Sequence, residues 1–201
     1  DYGQILDGTL VDVDSNGVPD TCESDIINEP VQWLTSAGGN GHWYEIRWRS
    51  AQCWDEAMLS AVNLGGQLVS METSSEFAFC SDLVNTIPDK DPDTGMSVFV
   101  GLEQIPGSNE PDGGWMWLSG AFLNYNVWGN TLDDACGCQD TAAFRNYDGL
   151  LDDIYPCDDA GCCFGSYSNY SIIEYSTDCN DDGVVDYGQI LDGTLEDLDG
   201  N

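Results

Sequence analysis

The sequence predicts one domain that mixes helices with strands, and a copy of the same short segment lies at each end of the chain. Residues 42–48 alternate in polarity as a strand does, while 50–63 and 73–85 have the caps and apolar spacing of helices. Residues 1–16 return at 186–201, where 13 of 16 aligned positions are identical. We interpret the chain as one period and the start of the next in a longer tandem array. A lone domain with similar linkers on both sides is the alternative.

The composition is strongly acidic, with 37 Asp and Glu residues against 4 Lys and Arg, for a formal net charge of −33. Nucleic-acid binding is excluded as a function because a phosphate backbone would be repelled. A hydrophobic content of 41% with 7 Trp indicates a folded core rather than a disordered acidic tail. No stretch of sequence is apolar and long enough to span a membrane. Nine cysteines indicate an extracellular, oxidising location, and bound divalent cations would relieve the self-repulsion of the chain.

Two segments have the spacing of an EF-hand-type calcium loop. Residues 12–23 and 178–189 each place oxygen-bearing side chains at loop positions 1, 3, 5 and 9, with Gly at position 6 and a backbone carbonyl at position 7. Glu23 completes the first loop at position 12, whereas the second has the neutral Gln189 there. The predicted calcium ligands are Asp12, Asp14, Asn16, Val18, Asp20 and Glu23, and Asp178, Asn180, Asp182, Val184 and Asp186. Asp/Asn/Gly-rich turns without metal are the alternative interpretation.

Both segments resemble the short calcium repeats of dockerin modules, in which each loop precedes a short helix. The resemblance implies dockerin-like repeats at 1–23 and 177–201, with 24–31 as a linker and a helix at 187–195. That helix leads straight into a copy of the first loop, so a complete module would span the boundary between two periods. Cys22 and Cys179 lie inside the two loops, and we expect them to form a disulfide between successive copies.

The central region divides into short elements and one long loop. Strands are predicted at 31–34, 42–48, 67–71, 96–102, 141–145 and 170–175, and helices at 50–63, capped by Ser50, and 73–85, with a capping box from Thr73 to Glu76. Residues 103–138 are rich in Gly, Asn and Asp and have little regular structure. We expect Trp115, Trp117 and Trp128 to anchor this long loop in the core.

Several motifs of this region occur in the order and spacing of one known family. They are Gly41-His42-Trp-Tyr44, Trp54-Asp-Glu-Ala57, Leu64-Gly-Gly-Gln-Leu68, Val98-Phe-Val-Gly101-Leu102, Gly114-Trp115-Met-Trp117, Tyr125-Asn-Val-Trp128 and Ser171-Ile-Ile-Glu174. On these motifs, residues 32–176 resemble a C-type lectin-like domain. The resemblance implies an α+β fold with two helices, an antiparallel sheet and a long structured loop. It also implies that the first and last strands, near His42 and Ile172, lie side by side.

The resemblance also suggests where a ligand would bind. Sugar-binding members of the family hold calcium with a Glu-Pro-Asn or Gln-Pro-Asp triplet in the long loop and a Trp-Asn-Asp triplet on the following strand, and the calcium bridges two sugar hydroxyls. The corresponding places here read Asn130-Thr-Leu-Asp133-Asp134, without the proline, and Leu151-Asp152-Asp153. Asp133, Asp134, Asp152 and Asp153 are therefore the candidate cation or sugar site. A solvated acidic loop is the alternative.

The cysteines depart from the family pattern. The positions of the family's long-range disulfide hold Val62 or its neighbours and Ile173, which suggests an apolar contact in place of the bridge. Cys157 follows Leu-Asp-Asp as a family cysteine does, so the resemblance implies a bridge to Cys136 or Cys138. A zinc site built from the clustered cysteines is the alternative. Because seven cysteines lie in the domain, at least one should stay unpaired unless it bonds outside the chain.

The residues select no catalytic set. His42 is the one histidine, no Ser-His or Cys-His pair is indicated, and we expect a protein that is not an enzyme. The main functional hypothesis is a secreted calcium-binding repeat protein whose C-type lectin-like beads are joined by calcium modules into an extracellular fibre or surface assembly. Its partners would be neighbouring copies of itself. The alternative is a calcium-dependent carbohydrate-binding lectin or adhesin module, with glycans as ligands.

Overall fold

The computed structural model describes the central domain and the loop and helix that follow it. The described residues are 27, 29–87, 98–129, 132, 138–145, 148–157, 168–180 and 182–196. Their strands are β1 Val31–Gln32, β2 Trp43–Gln52, β3 Gln67–Leu68, β4 Val98–Gln104, β5 Trp115–Trp117, β6 Thr141–Phe144, β7 Leu151–Ile154 and β8 Ser168–Tyr175. Their α-helices are α1 Trp54–Asn63, α2 Ser74–Val84 and α3 Asp186–Leu191. None of these helices has the length and apolar character that a membrane span requires.

The strands form one sheet in which the two ends of the domain meet. The order is β1-β2-β8-β4-β6-β7, with β3 added to β8 and β5 added to β4. Strands β2 and β8 pair antiparallel, with Trp43 opposite Tyr175 and Ile46 opposite Ile172. The expectation that the first and last strands lie side by side is therefore confirmed. The pairing of β4 with β8 is parallel, and β7 lies at the edge of the sheet.

The side chains on the two faces of the sheet belong to two different apolar clusters. On β4, Val98, Val100 and Leu102 join one cluster, while Phe99 joins the other, as the two-residue period of a strand requires. The first cluster packs against α2 and contains Trp115 and Trp117, which are 4% and 0% exposed. Trp128, partly buried, packs against the same cluster. These rings anchor the long loop as predicted.

Helix α1 begins four residues later than the sequence predicts. Ser50, expected to cap it, lies inside β2, whose pairing with β8 continues to Gln52 opposite Ser168. The N-cap is Cys53, whose backbone N–H donates to the Glu56 carboxylate at 3.1 Å. Strand pairing has therefore overridden a local capping signal. Helix α2 was better predicted, since Thr73 is its N-cap and accepts a hydrogen bond from the Glu76 backbone.

The predicted disulfide partner of Cys157 is wrong. Cys157 is bonded to Cys53 at the start of α1, and neither Cys136 nor Cys138 takes that place. The physical reason is that the segment after β7 lies against α1, where the backbone N–H of Cys157 also donates to Asp55 at 3.4 Å. Cys138 is itself disulfide-bonded.

The suggested replacement of the family bridge involves Ala61 rather than Val62. Val62 is 58% exposed, whereas Ala61 is fully buried in the same cluster as Ile173. A Cβ at Gly66 would lie 2.7 Å from Cγ2 of Ile173, so the chain after α1 passes close to β8. The expected apolar packing therefore occupies this region, and Ala61, one of the neighbours of Val62, provides it.

Candidate cation and ligand sites

In the second predicted calcium loop, 178–189, acidic and amide side chains accept hydrogen bonds from the loop's own backbone. The Asp178 carboxylate accepts hydrogen bonds from the backbone of Asp182 and Gly183, at 3.2 and 2.8 Å. Asn180 accepts from Asp182 at 3.0 Å, and Asp182 accepts from Val184 at 2.8 Å. Gly183, at loop position 6, has a φ of +84°, a left-handed conformation that glycine adopts without steric cost. The side chains of positions 1, 3 and 5 therefore turn inward on the loop's own backbone.

The end of this loop leaves two oxygen atoms without partners. Asp186 begins α3, and its Oδ2 accepts a hydrogen bond from the Cys179 backbone at 2.9 Å. Gln189 donates to Asp182 at 2.8 Å, and this hydrogen bond is the main cause that lowers the pKa of Asp182. Oδ1 of Asp186 and Oε1 of Gln189 are buried and accept no hydrogen bond within the described residues. A buried acceptor without a hydrogen bond lowers the stability of the fold by about 1–3 kcal/mol. A bound Ca²⁺ would compensate both oxygens, because its ligands in proteins are oxygen atoms.

Helix α3 is attached to the domain by the two residues between Asp186 and Gln189, which are Tyr187 and Gly188. The Tyr187 ring stacks on Tyr175, with centroids 3.8 Å apart and planes 6° apart, and its hydroxyl donates to Glu45 at 3.3 Å. A Cβ at Gly188 would lie 2.7 Å from Nε1 of Trp43, so only glycine lets α3 come this close. Burial beside Glu45 raises the pKa of Tyr187 to about 12, which keeps the phenol protonated as a donor.

The predicted lectin site is described in part. Asp152 and Asp153 are neighbours on the edge strand β7, where Asp153 is 5% exposed and Asp152 is partly buried. Asp133 and Asp134 lie outside the described residues, as do Cys22 and the first predicted calcium loop, residues 12–23. At one end of the 130–137 segment, the Gly129 backbone donates to Leu151 at 2.9 Å. At its other end, the Gln139 side chain donates to the Asp153 carbonyl at 3.1 Å.

A third group, the His42 cluster, consists of His42, Glu76 and Glu174 and was not predicted from the sequence. It is the one place among the described residues where three His, Cys, Asp or Glu side chains bring a ligand atom each within 4.8 Å of one another. The carboxylates of the 178–189 loop are spaced more widely. His42 precedes β2, Glu76 lies in the first turn of α2, and Glu174 lies on β8. The glutamates are 4% and 3% exposed.

Hydrogen bonds hold the Glu76 carboxylate rigidly. Oε1 accepts from the Tyr44 hydroxyl at 2.6 Å and from the Asn40 amide at 3.0 Å, and Oε2 accepts from the Glu72 backbone at 3.0 Å. Burial raises the pKa of Glu76, while the hydrogen bond from Tyr44 opposes that rise. The carboxylate therefore points from α2 towards β2 in one fixed orientation.

Glu174 is fixed in the same way from the other side. Its Oε1 lies 2.6 Å from Nδ1 of His42, and its Oε2 accepts from the Gln67 amide at 3.2 Å and the Ser70 backbone at 3.0 Å. The hydrogen bond with Glu174 raises the pKa of His42, against the effect of burial. The cluster opens into a surface cavity of about 520 Å³, which Ser70, Ser119 and Glu72 also line.

The sequence signal for this cluster was weak. His42 and Glu174 are 132 residues apart, and only the strand register, which places Glu174 opposite Tyr44, brings them together. The sequence predicts a capping-box role for Glu76, but its side chain accepts from the Glu72 backbone and reaches Tyr44 on β2 instead. The useful clue was that the chain holds one histidine, immediately before a predicted strand.

Comparison with solved structures identifies the fold. The structure is similar to the C-type carbohydrate-recognition domain of cow CD23, solved in the presence of a GlcNAc2Man3 oligosaccharide, with 19% identity, a TM-score of 0.51 and coverage of 70% of this chain and 92% of that one. It is similar to human lithostathine, with 21% identity, a TM-score of 0.53 and coverage of 78% and 91%. It is also similar to a calcium-independent type II antifreeze protein, with 19% identity, a TM-score of 0.50 and coverage of 74% of this chain and 94% of that one. No family model matches the sequence.

At these identities the likeness shows the fold, and that fold is C-type lectin-like. The three similar proteins differ in the properties that their names state, so the fold does not by itself select a ligand. The ligand must be argued from the sites of this chain.

Proposed function

We propose that this chain is a calcium-dependent carbohydrate-binding module. Its fold is that of a C-type lectin-like domain, and one similar structure is a carbohydrate-recognition domain solved with an oligosaccharide. The proposed ligands of the cation are Asp133, Asp134, Asp152 and Asp153. Calcium held by them would take two adjacent sugar hydroxyls in its remaining coordination positions, since its shell accepts six to eight oxygens.

The attachment of the long loop to β7 carries this proposal. Both ends of the segment with Asp133 and Asp134 are hydrogen-bonded to residues that flank or belong to the Asp152–Asp153 pair, through Gly129 and Gln139. The two halves of the proposed site therefore start from adjacent backbone.

We expect the double variant Asp152→Asn, Asp153→Asn to lose calcium-dependent glycan binding by at least about tenfold, because two anionic ligands become neutral. The measurement is a glycan array, followed by titration of the best sugar in calcium and in chelator. Asp178→Asn is the matched control: it removes a carboxylate from the other loop and should leave sugar binding unchanged. Sugar binding that survives both the chelator and the double variant would overturn the proposal.

A second function is favoured by the 178–189 loop and the sequence repeat. We propose that this loop binds calcium through Asp178, Asn180, Asp182, the Val184 carbonyl and Asp186, and that residues 12–23 do the same. The support is the inward winding of the loop and its two unpartnered oxygens. Calcium joints of this kind, with a Cys22–Cys179 bridge, would link neighbouring copies of the chain into an array.

Asp186→Ala is expected to lower the calcium affinity of the 178–189 loop by at least about tenfold, since it removes an anionic ligand. Isothermal titration with calcium measures this effect. Asp112→Ala, an exposed acidic residue on the long loop, is the control for the change in net charge. Equal calcium affinities in the two variants would show that the loop is an ordinary turn.

Assembly is tested separately by electron microscopy of the native material. We expect filaments with a regular repeat in calcium that fray when a chelator is added. Filaments that resist the chelator would place the joint at disulfides or domain contacts. Dispersed particles in calcium would contradict assembly and leave the carbohydrate-binding proposal untouched.

A further inference from the structure

The His42 cluster carries two buried carboxylates in a chain whose formal net charge is −33. Removing a carboxylate from water costs several kcal/mol unless a positive group and hydrogen bonds compensate. Among the ion pairs of the described residues, His42 provides the one cationic partner at this cluster, through Glu174. The close partners of Glu76 are hydrogen-bond donors without a full positive charge, and burial raises the pKa of its carboxyl.

The hydrogen bonds determine how many ligand positions remain. A carboxylate has about four acceptor positions. Glu76 uses three of them for Tyr44, Asn40 and the Glu72 backbone. Glu174 uses two for the Gln67 amide and the Ser70 backbone and a third towards His42. Each glutamate can therefore give one oxygen to an ion, but neither is free to chelate it with both oxygens.

We propose that the His42 cluster is a zinc site, formed by Nδ1 of His42 and one oxygen each of Glu76 and Glu174. Zinc is typically four-coordinate and takes imidazole nitrogen together with carboxylate oxygen. Calcium needs six to eight oxygen ligands, which this hydrogen-bonded set does not supply. The fourth zinc position opens to the cavity, where a water molecule or an oxygen ligand can enter. When the ion binds, it replaces the proton between Nδ1 of His42 and Glu174, and this proton passes to solvent.

This inference is independent of the proposed carbohydrate site. The His42 cluster joins β2, α2 and β8, whereas Asp152 and Asp153 lie on the edge strand β7. The ion would cross-link the start of α2 to β8 and to the residue that precedes β2. Failure of one proposal therefore leaves the other standing.

The test uses the full chain, freed of metal and then kept in excess calcium so that calcium loops are saturated. Because His42 is the one histidine, ¹⁵N-detected NMR of the imidazole reports on this site alone. Addition of ZnCl₂ is expected to shift the Nδ1 resonance, with one equivalent bound by isothermal titration. His42→Gln is expected to lower zinc affinity by at least about tenfold, whereas Glu110→Gln, an exposed charge control, should not change it.

An unchanged Nδ1 resonance at saturating zinc would overturn the proposal, as would a His42→Gln variant that binds zinc as tightly as the natural chain. Circular dichroism shows whether the variant is folded. The NMR measurement needs no variant, so it decides the question even if His42→Gln fails to fold. Displacement of zinc by calcium at equal concentration would assign the cluster to calcium instead.

Discussion

The double variant Cys53→Ala, Cys157→Ala is expected to lose about 3–5 kcal/mol of unfolding free energy, since a bridge that closes a loop of roughly 100 residues restricts the unfolded chain by that much. The two cysteines are separated by 104 residues and join the start of α1 to the segment after β7. Urea denaturation followed by tryptophan fluorescence measures the loss. Because Asp152 and Asp153 lie on β7, glycan binding should weaken together with stability.

Cys80→Ala is the control for removing a sulfur atom without removing a cross-link. Cys80 is buried and unpaired in the described structure, and its loss should cost about 1 kcal/mol, the value of a small buried apolar group. A double variant as stable as Cys80→Ala would mean that the Cys53–Cys157 bridge contributes nothing to the folded domain.

Trp117→Ala is expected to destabilise the domain by about 3–5 kcal/mol, the usual cost of deleting a large buried aromatic side chain. Trp117 is fully buried and lies on β5, opposite Leu102 of β4. Strand β5 belongs to the long loop, so we also expect weaker calcium-dependent glycan binding under conditions where the variant is still folded. Thermal unfolding and glycan titration on the same samples measure both effects.

Trp48→Ala provides the comparison within the same residue type. Trp48 is 40% exposed on β2, and its replacement should change stability by no more than about 1 kcal/mol. If Trp117→Ala were equally mild, the long loop would be held by other contacts. The hydrogen bond from the Tyr125 hydroxyl to the Met71 carbonyl, at 2.5 Å, would be the first to examine.

Patterns that repeat over short distances were predicted well. Local sequence patterns predicted the two helices of the domain and the alternating strand at 42–48, which is part of β2. They also predicted that Trp115 and Trp117 are buried. The calcium-loop spacing of 178–189 is a local pattern too, but the binding of calcium by this loop stays a prediction. The resemblance added the long-range pairing of β2 with β8, which no local pattern contains.

Long-range contacts explain what was missed. The start of α1 moved because β8 extends its pairing to Gln52, and the partner of Cys157 lies in another element 104 residues away. The His42 cluster depends on strand register in the same way, since a slip of one residue would turn Glu174 to the opposite face. Local sequence determines neither a register nor the approach of two distant segments.

The attachment of Tyr187 has a mechanical consequence. The strands β2 and β8 are antiparallel neighbours, and β2 starts where β8 ends, at the Trp43–Tyr175 pair. Tension applied between the start of β2 and the end of β8 would therefore pull at one end of this ladder and break its hydrogen bonds in sequence, rather than load them all together. Tyr187 stacks on Tyr175 and donates a hydrogen bond to Glu45, so it lies at the end of the ladder where this tension would act. Under such tension, the contacts of Tyr187 with Tyr175 and Glu45 would have to break before the β2–β8 ladder could separate in this way.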